Sequence, residues 1–184
     1  MGTIDASYFA ESGQTYEIRS LGAHLDQFDD RVSFGSIPDI LVTPNGYFVA
    51  DGLNRHIVLL DRSLNPLRIS GRDGDGPGEY RFPRRMDRAG DRILVLDVGT
   101  GRASYLNPDG DFLESQPVPG IASDAAFHRD LGLLVAGDAF PDHYLARVTA
   151  QGNEALGRIP DELRTDRKAC SRMPLDRVTV SGTA

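Results

Sequence analysis

Tryptophan is absent from the 184 residues, and there is one cysteine, Cys170, and one lysine, Lys168. A single cysteine excludes an intramolecular disulfide and any metal site built from several thiolates. Cys170 lies in the cationic run Arg167-Lys168-Ala169-Cys170-Ser171-Arg172, a setting that favours a thiolate. It nevertheless reads as an ordinary loop cysteine. No apolar run approaches the roughly 18 residues of a membrane-spanning helix. Residues 1–14 have neither a basic start nor an apolar stretch, so no signal peptide is visible. A chain complete as it stands would stay in the cytoplasm. One that lacks a leading signal would be periplasmic or secreted.

Positive charge is also short. Lys and Arg number 20 against 27 Asp and Glu, giving a formal net charge of -7 and a pI near 5.0. Binding to a nucleic-acid backbone rests on a cationic face, so nucleic acid is not an expected partner. Charged residues at 26% and hydrophobic residues at 40% fit one ordinary globular domain over 1–184.

Turn residues and short apolar runs are what the chain has in quantity. Turn signals fall at Pro44-Asn45-Gly46, Asn65-Pro66, Ala89-Gly90-Asp91, Pro108-Asp109-Gly110, Asp130-Leu131-Gly132 and Gln151-Gly152-Asn153. Between them lie runs rich in Val, Ile, Leu, Phe and Tyr, the pattern of successive β-hairpins. No apolar stripe of helical period persists beyond two turns. Residues 161–174, polar and charged, are the exception and suit one short helix or an insertion loop.

These runs also repeat. Asp51 and Asp97 are 46 residues apart, and so are Asp61 and Asn107; Thr149 follows Asn107 by 42. Short strands at such a period predict an all-β fold, a β-propeller of four-stranded antiparallel blades. The expected strands are 38–43, 46–51, 56–61 and 66–70 in a first blade of about 38–71. A second, about 83–117, has 83–88, 91–97, 102–107 and 111–116. A third, about 120–160, has 121–128, 132–137, 143–149 and 154–159. Segments 16–20 and 175–180 read as strands of further, incomplete blades. About three blades do not close a ring, because propellers use about four to eight. The expectation is therefore an incomplete ring, either a piece of a chain about twice as long or a chain whose copies self-associate.

Between the first two blades, Gly76-Pro77-Gly78-Glu79-Tyr80-Arg81-Phe82-Pro83 resembles the Gly-Pro-Gly-Glu-aromatic…Pro linker of NHL repeats. Val49-Ala50-Asp51-Gly52-Leu53-Asn54-Arg55-His56-Ile57 is similar to their strand-end motif, Val-Ala-Asp-x-x-Asn-x-Arg-Ile. The resemblance covers residues 35–117 well and 118–160 loosely. It implies a propeller, commonly six-bladed, whose usual role is binding proteins or other ligands; some related propellers are lyases or metal-dependent lactonases. The motif's Arg is His56 in the first blade and Arg102 in the second. In the third, its Asp is replaced by Gly137 or displaced to Asp138.

The motif also has a direct physical reading. Gly-Pro-Gly turns sharply, since Gly accepts positive φ and Pro fixes its own. Tyr80 and Phe82 are expected to plug the seam between blades. Asp51 ends one strand as Asn54 and His56 open the next, so their side chains are expected to bond across the hairpin.

Signatures of chemistry are sparse. Asp73, Asp75 and Glu79 offer oxygens to calcium or another divalent ion, but EF-hand spacing is absent, so no cofactor is expected. His24, His56, His128 and His143 form no zinc motif, and no Gly-x-Ser-x-Gly elbow occurs. Asp97-Val98-Gly99-Thr100-Gly101-Arg102 reads as a hairpin turn rather than a phosphate loop.

Topology supplies the candidate site. In a four-stranded meander, the turns between second and third strands emerge on the same side as the linkers between blades. That face collects Asp51, Arg55, His56, Arg72, Asp73, Asp97, Arg102, Asp138 and His143. Long charged loops on a rigid scaffold are the usual place for binding. The expected function is a non-enzymatic platform for a protein, peptide or glycan. The alternative is a lactonase- or lyase-like enzyme with a central metal, which requires inward carboxylates in every blade.

Overall fold

The computed structural model describes residues 32–140, 143–149 and 151–158, nearly all within the unit Phe34–Ala184. The segments 16–20, 161–174 and 175–180 lie outside the described residues, as do Cys170 and His24.

Alternating apolar runs separated by Gly- and Asn-containing turns fold as three antiparallel meanders. Blade one is β1 (Asp39–Thr43), β2 (Gly46–Asp51), β3 (His56–Leu60) and β4 (Pro66–Ser70). A two-stranded parallel ribbon follows in the linker, β5 (Arg72–Asp73) and β6 (Glu79–Tyr80). Blade two is β7 (Pro83–Ala89), β8 (Arg92–Asp97), β9 (Arg102–Leu106) and β10 (Phe112–Pro117). Blade three is β11 (Ala122–His128), β12 (Gly132–Phe140), β13 (His143–Thr149) and β14 (Gly152–Arg158). The expected strands stand within a few residues of their places. The last one starts earlier than expected because Gly152 and Asn153 pair with Thr149 and Val148 instead of forming the turn alone.

The middle strands of blades one and two are buried on both faces, as blades stacked side by side require, whereas β12 and β13 alternate between buried and partly buried residues. In β8, Ile93, Val95 and their neighbours Leu94 and Leu96 are all enclosed. Ile93 and Val95 join Phe48, Ala50, Ile57 and Leu59 of blade one in the first seam. Leu94 and Leu96 join Leu133, Val135, Ala146 and Val148 of blade three in the second. The outer strands β4 and β10 are largely exposed.

Tyr80 reaches the first seam from the linker and is fully enclosed there. Its fit depends on Gly71 (φ 82°), because a Cβ at that position would run into the Tyr80 ring. Phe82 departs from the expected seam role. It remains 37% exposed and its ring lies over Gly52, so it covers a turn.

Candidate functional site

Asp51 and Asp97 end β2 and β8, and both are enclosed. Asp51 accepts the N–H groups of Gly35 (2.8 Å), Ser36 (3.1 Å), Leu53 (3.2 Å) and Asn54 (3.0 Å), and the Asn54 side-chain amide (2.9 Å). Asp97 accepts those of Arg81 (2.7 Å), Phe82 (2.8 Å), Gly99 (2.8 Å) and Thr100 (3.3 Å). Each carboxylate thus ties a hairpin turn to the segment entering its own blade. The Asn54 bond is the one expected across the hairpin. Burial pushes the Asp51 carboxyl up, yet the N–H groups of Asn54, Gly35 and Ser36 and the Asn54 amide outweigh it, leaving the pKa below the ordinary value.

Gly137 stands where the third blade would carry this acid. It has φ 144°, and a Cβ there would collide with the Ile121 carbonyl oxygen. The position is closed to aspartate by backbone packing.

Above these anchors the charged loops meet in an exposed network. Arg55, held at φ 61°, binds Asp73 at 2.5 Å. Arg81 bridges Asp73 (3.0 Å) and Asp75, the latter through two bonds of 3.1 and 2.8 Å. Arg102 donates to the Asp75 carbonyl oxygen at 2.7 Å. The chain of contacts therefore runs from blade one's turn, across the linker, to the start of β9. Arg72 pairs with Glu79 (2.7 Å), whose other oxygen accepts the Gly76 N–H at 2.8 Å. The Gly76 N–H and then Arg72 hold the Glu79 pKa down; the hydrogen bond from Arg81 does the same for Asp75. A cation entering this loop would compete with Arg55, Arg72 and Arg81 for every carboxylate.

His56 opens β3 with its Nε2 4.0 Å from Asp51. That nitrogen is enclosed and has no hydrogen-bond partner among the described residues. Burial lowers its pKa, partly offset by the Asp51 charge. Asp138 lies within β12 and His143 opens β13, opposite Phe140 and Arg158. The structure thus brings together Arg55, Asp73 and Arg102, sets Arg72 beside them on Glu79, and buries Asp51 and Asp97 beneath. Asp138 and His143 belong to the third blade.

Sequence reasoning missed Arg81, the hub of this network, because its role arises only when the linker folds back on itself. It also missed a level on the innermost strands. Asp39, Arg85 and Asp124 face Ala50, Leu96 and Ala136, the residues just before Asp51, Asp97 and Gly137. Arg85 lies 4.0 Å from Asp39 and 3.3 Å from Asp124. The inner ring level is therefore acid, base, acid, with a guanidinium where a carboxylate ring would need its middle member. Among the described residues, no three His, Cys, Asp or Glu side chains converge as a metal ion requires.

Comparison with solved structures places this architecture. A protein of Bacteroides fragilis NCTC 9343, described as exported, matches 73% of this chain and 41% of its own length, at 21% identity and TM-score 0.61. The chain is a β-propeller. Its three described blades form an open arc of the ring. Kuenenia stuttgartiensis hydrazine synthase matches 71% of the chain and 40% of its own length (11% identity, TM-score 0.51). A streptogramin B lyase matches 66% and 40% (15% identity, TM-score 0.49). The propeller chain spans about two fifths of the length of these structures. No family model and no curated protein matches it.

Proposed function

We propose that the chain is a non-enzymatic propeller platform of the NHL type that binds a protein, peptide or glycan through its charged loop face. The observation carrying this reading is the exposed network Arg55–Asp73–Arg81–Asp75, with Arg102 on the Asp75 backbone. Its guanidiniums and carboxylates stand on a scaffold anchored by Asp51 and Asp97. Exposed ion pairs contribute little to stability, so a network of this extent is better suited to recognition. Arginine forks supply several donors in fixed directions, and they suit peptide carbonyls, carboxylates and sugar hydroxyls.

Array binding with immobilised peptides and glycans tests the reading, using the chain and its Arg55→Ser/Arg102→Ser variant. Saturable binding that the double variant loses, with unfolding unchanged, is the expected result. The alternative is a metal-dependent lactonase- or lyase-like enzyme, which needs a carboxylate ring that Arg85 interrupts. A stoichiometric divalent ion in the purified protein, with no array binding, would favour that alternative over the platform.

A further inference from the structure

On the opposite face of the ring the two seams differ. At the first seam, the turn between β9 and β10, residues 107–111, folds over the outer strand of blade one. Ser70 donates to the Gly110 carbonyl at 2.5 Å, and Arg68 donates to the Asp109 carbonyl at 3.2 Å and pairs with Asp111 at 2.6 Å. Gly110 fits against Leu59 so closely that a Cβ would stand 3.0 Å from its methyl groups.

At the second seam the same place is open. Strand register makes Tyr105, Glu114 and Gln116 the counterparts of Leu59, Arg68 and Ser70. Blade three joins β13 to β14 through only residues 150–151, with Thr149 paired to Gly152. Its turn is three residues shorter than blade two's, which spans 107–111. A cavity of about 260 Å³ stands over Tyr105, Phe127, Leu133 and Val148, rimmed by Arg92, Glu114 and Gln116.

We propose that this cavity binds a glycine-containing turn of a partner polypeptide, inserted as blade two's own turn is at the first seam. The donor types used at the first seam recur. Gln116 stands in the place of Ser70, and Arg92, 4.8 Å over the Tyr105 ring, supplies a guanidinium as Arg68 does. Glu114 is neutralised by Arg92 at 2.6 Å, so carbonyl oxygens meet no uncompensated negative charge. The volume is below the roughly 300–1,000 Å³ of sites for drug-sized ligands; it suits the tip of a turn and is too small for a large cofactor. The site is independent of the charged loop face.

The test uses the chain's own turn as a probe. A fluorescent cyclised peptide, Asn-Pro-Asp-Gly-Asp closed by flanking cysteines, is titrated against the full chain by anisotropy. Saturable binding with Kd below about 1 mM is expected, weakened about tenfold or more by Gln116→Ala and by Arg92→Ser. A graft of the same five residues in place of 150–151 should fill the cavity and abolish binding while the chain stays folded. No binding, binding that survives the graft, or saturation of the same residues by monosaccharides but not by the peptide would overturn the proposal.

Discussion

The carboxylate of Asp39 accepts the backbone N–H of Met86 at 2.7 Å, joining the innermost strands of blades one and two. Asp87 repeats the device one seam on, accepting the Phe127 N–H at 2.7 Å. Both acids clasp the following blade through its backbone. A hydrogen bond to a charged group contributes about 1.5–3 kcal/mol, more than a neutral one. Asp39→Ala is accordingly expected to lose about 1.5–3 kcal/mol in denaturant unfolding, and Asp39→Asn, which keeps an acceptor, less than half of that. Equal losses for both variants would show that charge, not the acceptor, holds the seam.

Tyr80 gives a prediction of two signs. Its ring fills the first seam, so Tyr80→Ala should cost about 3–5 kcal/mol. Its hydroxyl, however, is enclosed with no hydrogen-bond partner among the described residues. Burial, with the Asp97 charge adding, pushes the phenol well above its ordinary pKa. Tyr80→Phe removes that stranded hydroxyl and should leave stability unchanged or raise it by about 1 kcal/mol. A Phe variant that is clearly less stable would reveal a partner for the hydroxyl.

How much of this was legible beforehand follows from distance along the chain. Strands and turns are local: Asn45-Gly46 and Asp109-Gly110 announce hairpins by themselves, and each runs where expected. The enclosed carboxylates Asp51 and Asp97 were legible as a repeated position. Their occupation by backbone N–H groups was not, because those donors come partly from residues 15 and 16 positions upstream. The inner level Asp39–Arg85–Asp124 and the clasps to Met86 and Phe127 join different blades. Such pairings emerge only once the register of each sheet is known.

Acid should weaken the fold in two stages. His56 is held below its ordinary pKa of 6.5 by burial, partly offset by Asp51. A depressed pKa means that the folded state prefers the neutral ring, so this contribution is present above 6.5 and lost as pH falls through the folded value. Asp51, held below its ordinary 3.8, contributes stability above that value and loses it on further acidification. Unfolding free energy measured against pH should therefore fall in a first step that His56→Gln removes. A second, deeper fall remains, and Asp51→Asn shrinks it. A first step that persists in His56→Gln would assign it elsewhere.

The remaining prediction concerns the face of blade one turned away from blade two. Ile40, Val49, Val58 and Ile69 are consecutive cross-strand neighbours on that face. Val49 and Val58 are enclosed, but Ile40 is 53% and Ile69 43% exposed, and Val42 beside them is 65% exposed. A blade normally buries both faces against neighbours, and exposed aliphatic rows of this kind promote association. The isolated chain is expected to self-associate, with a sedimentation coefficient that rises with concentration. Ile40→Lys/Ile69→Lys should shift it toward monomer, since lysine ammonium groups resist burial in an apolar contact. A wild-type chain that sediments as a monomer at all concentrations and unfolds cooperatively would mean that the open arc is self-sufficient, and the association expected of it would be wrong.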